Sequence, residues 1–111
     1  VGKCILSTHA DADLVGIYEY TLSTWGADQF HIYRKHVEAA LHAIAANPVL
    51  RGSKKRDDIL PGCRFYRVEH HYIVYRVAGN MVQVARILHE RMHFEEQVSG
   101  QDFDAPPARS R

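Results

Sequence analysis

Apolar residues recur along this chain in two rhythms, a period near 3.6 in its first half and near 2 in its second. Lys3-Cys4-Ile5-Leu6-Ser7 is a brief apolar run that predicts an opening strand. Ser7 or Thr8 then offers a helix N-cap, with Asp11 and Asp13 complementing the positive end of a helix. From Ala10 onward, Leu14, Ile17 and Trp25 mark a broad apolar face, and Val15, Tyr18 and Leu22 mark a second, narrower stripe. Gly26 ends this helix, because glycine tolerates the left-handed backbone that terminates one. A second helix starts near Ala27, with Phe30, Tyr33, Val37, Leu41 and Ile44 spaced by three and four. Asn47-Pro48 stops it. So short a turn between the helices places them antiparallel and adjacent.

Residues 48–62 read as a loop. Strands are predicted over Cys63–His70, from His71 or Tyr72 to Ala78, and over Met81–Leu88, with Gly79-Asn80 as a tight hairpin turn. The expected fold is α+β, in the order β-α-α-β-β-β. An N-terminal strand and an antiparallel helical hairpin precede an antiparallel sheet, and a short C-terminal segment follows. The helical hairpin is the only candidate to cover the sheet's apolar face. Residues 1–98 are expected to form a single domain. The remainder, 99–111 (SGQDFDAPPARSR), has the composition of a disordered tail.

With 111 residues, the chain suffices for one core burying about two thirds of its unfolded surface. Apolar content of 46% and 24% charged residues are ordinary for a soluble globular protein. The longest apolar run falls short of a membrane span and the opening residues do not read as a leader, so a cytoplasmic protein without membrane contact is expected. Cys4 and Cys63 are expected as buried thiols rather than a disulfide. Net charge is only +1, yet ten Arg stand against four Lys. Arg makes planar, bidentate contacts, so this balance points to an interface more than to bulk nucleic-acid binding. The basic run Arg51, Lys54, Lys55, Arg56 abuts Asp57 and Asp58 and reads as a solvated loop.

His89-Glu90-Arg91-Met92-His93 spells HExxH, the signature of zinc proteases. That chemistry needs both histidines on one helical face, a third protein ligand and an open coordination position. Here Val82, Val84, Ile87 and Leu88 lead into the motif with strand composition, without a cap or a break. No metal and no cofactor are therefore expected. His31, His36 and His42 lack metal-pair spacing and read as surface residues. Neither cysteine nor Ser7, Ser23 or Ser53 sits in a nucleophile signature, and no Gly-rich phosphate loop is present.

The strands carry arginines on otherwise apolar faces. Alternation groups Arg64 with Tyr66 and Val68, and Arg86 with Val82, Val84 and Leu88. Such an arginine must be paired, exposed at the sheet's end, or set at a bulge. Pairing of Arg64, Arg67, Arg76 and Arg86 with Asp57, Asp58, Glu69 and Glu90 is one expectation, and a functional basic patch is the other.

The order Leu6-Ser7, Asp13-Leu14, Ile17-x-x-Tyr20, Trp25-Gly26-x-x-Gln29, Tyr33, Ala46-Asn47-Pro48 resembles the ParE branch of the ParE/RelE toxin superfamily. So does its continuation through Asp58-Ile59-x-Pro61-Gly62-x-Arg64, His71–Val77 and Val84-x-Arg86-Ile87-Leu88-His89-x-Arg91-Met92. The likeness spans roughly residues 3–98. His93 stands where that family usually has Asp, so HExxH arises here by one substitution.

The resemblance implies a bacterial type II toxin that binds and poisons DNA gyrase and is neutralised by a ParD-like antitoxin, touching DNA only through those partners. The RelE branch, which cuts mRNA on the ribosome, is the alternative. Its pattern wants Arg where this chain has Tyr72 and a tail Tyr where it has Gln97, and only Arg91 matches. Phosphodiester cleavage needs an acid/base pair as well as charge stabilisation, so a binding protein, not an enzyme, is expected. The expected target contacts are Arg64, Arg86, His89, Arg91, Met92 and His93. The expected antitoxin contacts are Val15, Tyr18, Leu22 and Trp25, beside a sheet edge open to an added strand.

Overall fold

Ser7 turns the chain from strand to helix. Its backbone is extended (φ −64°, ψ 165°), and its Oγ accepts from Ala10 N at 3.0 Å while donating to Ala85 O at 2.7 Å. The computed structural model describes residues 2–99, Phe103 and residues 107–110. It opens with β1 (Lys3–Ser7), α1 (Thr8–Trp25) and α2 (Ala27–Ala46). Gly26 alone separates the helices, at φ 89°, and its N–H reaches back to Leu22 O at 3.1 Å. β2 (Lys54–Lys55), β3 (Arg64–Val68), β4 (His71–Ala78), β5 (Met81–His89), α3 (Phe94–Gln97) and β6 (Pro107–Ser110) follow. No helix among the described residues is long and apolar enough to cross a membrane.

The sheet order is β2-β3-β4-β5-β1-β6. β3, β4 and β5 form the expected antiparallel meander, but β1 pairs parallel with β5, so the sheet is mixed rather than antiparallel. The connection explains this: a helical hairpin returns the chain across one face, which lets the first and last strands of the domain run the same way.

Two cores result. Against the helices, Cys4, Leu6, Ile73, Tyr75, Val82, Val84 and Ile87 pack on Leu14, Val37, Leu41 and Ile44. On the opposite face, Cys63, Phe65, Val74, Ala85 and Leu88 are covered by Val98 and Phe103, with Ile59, Leu60 and Phe94 at the margin. The helical hairpin is thus not the only cover. The loop before β3 and the C-terminal segment bury the second face.

The tail expected to be disordered lies partly outside the described residues, at 100–102, 104–106 and 111. Within the described ones, Phe103 is buried and residues 107–110 pair antiparallel with β1. The alternation of β3 and β4 holds, whereas that of β5 does not. Val74 stands opposite Arg86 and Tyr75 opposite Val84, which leaves Ala85 as the extra residue of a bulge. Val82 and Val84 therefore face the helices, while Leu88 joins the second core. Cys4 and Cys63 are free buried thiols in the two different cores, and burial pushes both up to about 11.

Candidate functional site

Beyond Ser7, β1 has left the sheet and β5 loses its partner on that side. Side chains of α1 replace the missing strand. The Asp13 carboxylate accepts from Ile87 N at 3.0 Å and takes Arg86 Nε and Nη2 at 2.8 and 3.0 Å, a two-point pair. Arg86 also donates to Gln97 O at 2.9 Å, which ties α3 to the same place. With side chains only 19% and 17% exposed, Arg86 and Asp13 form a largely buried pair. The carboxylate partner of Arg86 is Asp13, which was not among the carboxylates expected for it. Of that expected set Arg67 and Glu90 meet, at 2.7 Å, and Arg67 Nε also donates to Glu69 O at 2.8 Å.

Beside this brace a groove of about 910 Å³ lies between α1 and the end of the sheet. Gly16, Ile17, Tyr20 and Trp25 line one wall, Gln29 and Tyr33 the base of α2, and His70, His71, Ile87, His89 and Met92 the other wall. Tyr20, Trp25 and Met92 are exposed aromatic or apolar side chains at its rim, Trp25 at 67%. His71 lies opposite His89 in register, with the rings edge-on at 5.2 Å, and its Nδ1 meets Tyr33 Oη at 2.5 Å. Burial first, and then the neighbouring His89 and His70, lower His71 to about 4, so its ring is neutral at pH 7. At the edge of the groove, His70 and Arg67 share Glu90, and His36 meets Glu69 at 2.5 Å. Desolvation tends to raise the Glu90 carboxyl, but the hydrogen bond from His70 and the charges of Arg67, His70 and His89 together hold it below the usual carboxylate range.

The HExxH residues adopt another geometry. His89 ends β5, Glu90 to Met92 make a turn closed by Met92 N to His89 O at 3.0 Å, and His93 caps the four-residue α3. A metalloprotease helix is not what these residues form. Among the described residues no group of three or more His, Cys, Asp and Glu is arranged to hold a metal.

The expected target contacts divide. His89, Arg91, Met92 and His93 are adjacent at the exit of β5, the last three exposed. Arg64 sits at the far end of the sheet, opposite Tyr75, where its Nε donates to Ser53 Oγ at 2.8 Å. Of the expected antitoxin contacts, Trp25 lines the groove. Val15 and Leu22 lie exposed on the other flank of α1, and Tyr18 is half-buried edge-on against Phe30 at 5.4 Å. The groove residues Tyr20, Tyr33, His70 and His71 were not singled out from the sequence as contacts. The adjacent His70-His71 pair at a hairpin turn, in register with His89, was the available signal.

Comparison with known proteins decides the family. Residues 4–94 match the family described as ParE toxin of type II toxin-antitoxin system, parDE. The chain belongs to the ParE toxin family. It is 36% identical to Toxin ParE1 of Mycobacterium tuberculosis over 97 residues, covering 86% of this chain and 97% of that one. It is 39% identical to Toxin ParE of Escherichia coli over 89 residues, 79% of this chain and 84% of that one. Among solved structures, the fold resembles a chain of "Chromosomal ParDE TA system from P. aeruginosa" (TM-score 0.64, 22% identity, 79% and 95% covered). It also resembles a chain of the YoeB-YefM complex from Staphylococcus aureus (TM-score 0.57, 24% identity, 80% and 97% covered). This ParE-family chain is thus the toxin component of a type II toxin–antitoxin system, with an antitoxin as its partner.

Proposed function

We propose that this toxin acts in the cytoplasm by binding DNA gyrase through the exit of β5, and that a ParD-like antitoxin neutralises it. The observation that carries the reading is the cluster His89, Arg91, Met92 and His93. It combines an exposed cation, an exposed thioether and two imidazoles on a short turn braced by Asp13 and Arg86. A cationic, apolar-tipped turn on a rigid sheet is suited to binding a surface.

The nuclease alternative finds little support in the corresponding side chains. Tyr72 packs against Phe65 and Phe94 on the face away from the helices, and the backbone carbonyl of Gln97 accepts from Arg86. Arg91 therefore lacks the two neighbours that the RelE pattern requires. Expression in growing cells tests the two readings together. Gyrase poisoning is expected to induce the DNA-damage response while full-length mRNA persists; loss of mRNA without DNA damage would reverse the assignment.

A further inference from the structure

The two edges of the sheet are finished differently. At one edge β2 has only two residues, Lys54 and Lys55, both exposed, and so short and charged a strand resists further pairing. At the other edge stands β1, five residues long, with Cys4 and Leu6 fully buried. Its outer backbone is a template for strand addition, but β6 already lies on it. Ile5 stands opposite Ser110, Leu6 opposite Arg109 and Ser7 opposite Pro107, with an irregularity between Leu6 and Ser7.

This strand is anchored upstream. Phe103 is 5% exposed among Cys63, Phe65, Val74 and Leu88, and the Arg76 guanidinium sits 4.5 Å from the centre of its ring. Both features lie beyond the shared domain, because the family match ends at residue 94. The M. tuberculosis relative is matched over nearly its whole length and still leaves part of this chain unmatched.

We propose that Phe103 and residues 107–110 form an intramolecular clamp that occupies the β1 edge and is displaced when the antitoxin's arm adds a strand there. One edge accepts one strand, so occupation in cis excludes addition in trans and lowers the partner's apparent affinity by the fraction of clamped chain. The clamp is built to yield. It has four residues and an irregular register, and it begins with a proline that donates no backbone hydrogen bond. The partner half of this proposal rests on the antitoxin reading above; occupation of the edge in the free chain does not.

Hydrogen exchange on the full chain and on its complex with the antitoxin separates the two. In the free protein, Arg109→Pro is expected to speed exchange of the β1 amides facing β6 about tenfold or more, leaving β4 and β5 unchanged. Phe103→Ala, which spares the strand itself, is expected to do the same more weakly. Unchanged β1 exchange in both variants overturns the clamp. In the complex, residues 107–110 are expected to lose protection while β1 keeps it, and retained protection of 107–110 overturns the displacement. If no antitoxin associates, the partner reading fails, and the free-chain exchange still decides whether the edge is clamped.

Discussion

Asp13 and Arg86 are joined by two hydrogen bonds, at 2.8 and 3.0 Å, across 73 positions of sequence. The same carboxylate caps Ile87 N, so one side chain fixes α1 against the bulge of β5, beside the groove. Removing one partner leaves a largely desolvated charge. Asp13→Leu and Arg86→Met are each expected to destabilise by about 2–4 kcal/mol. The double variant Asp13→Leu with Arg86→Met is expected to recover part of that loss. Chemical denaturation of the four proteins as a double-mutant cycle checks the coupling; purely additive losses would argue against the brace.

His71 supplies a pH dependence. Its folded value, about 4, lies below that of an unfolded histidine, so the unfolded chain takes up the proton first as pH falls. The stability contributed by the neutral ring is present above about pH 6.5 and is lost between there and about pH 4. Because the ring keeps some solvent contact, the loss is expected to be only about 1–2 kcal/mol. His71→Gln should flatten that part of the melting-temperature curve. An equally steep fall from pH 7 to pH 4.5 in the variant would assign the acid sensitivity elsewhere.

The exit of β5 is where loss of function should part from loss of fold. Arg91→Glu is expected to abolish growth arrest with a melting temperature within about 2 °C of the parent, as for an exposed side chain. Arg86→Glu is expected to abolish it by unfolding. Growth arrest that persists with a folded Arg91→Glu variant removes this turn from the target surface.

For the antitoxin, the two flanks of α1 make different predictions. Trp25→Ala alters the rim of the groove, whereas Val15→Ser with Leu22→Ser alters the opposite flank. A partner spanning both flanks loses tenfold or more in affinity from either change. Titration calorimetry on each variant distinguishes this from a partner confined to one flank, for which one change is silent.

Element order and most boundaries were legible because the helices and the β3–β4 pair obey their periods without interruption. Ser7, Gly26 and Gly79-Asn80 mark their own turns chemically. What escaped reading depends on contacts remote in sequence. The bulge at Ala85 comes from the departure of β1, which nothing within residues 81–89 announces, and it moved Leu88 to the other face. Arg86 was recognised as needing a partner, but Asp13 is invisible to local spacing. Arg64 and His89 looked like neighbours at strand ends, yet β3 and β5 run the same way and the two residues lie at opposite ends. Phe103 was lost within a polar tail, since one aromatic among Pro, Ser and Asp carries no periodic signal.

We propose that this toxin works by binding gyrase. The most direct test is a supercoiling reaction with purified gyrase and relaxed plasmid, titrated with the purified chain. The expected result is persistence of relaxed or cleaved plasmid, reversed by the antitoxin and absent with Arg91→Glu. Undiminished supercoiling at a large molar excess of folded, growth-arresting protein would contradict it.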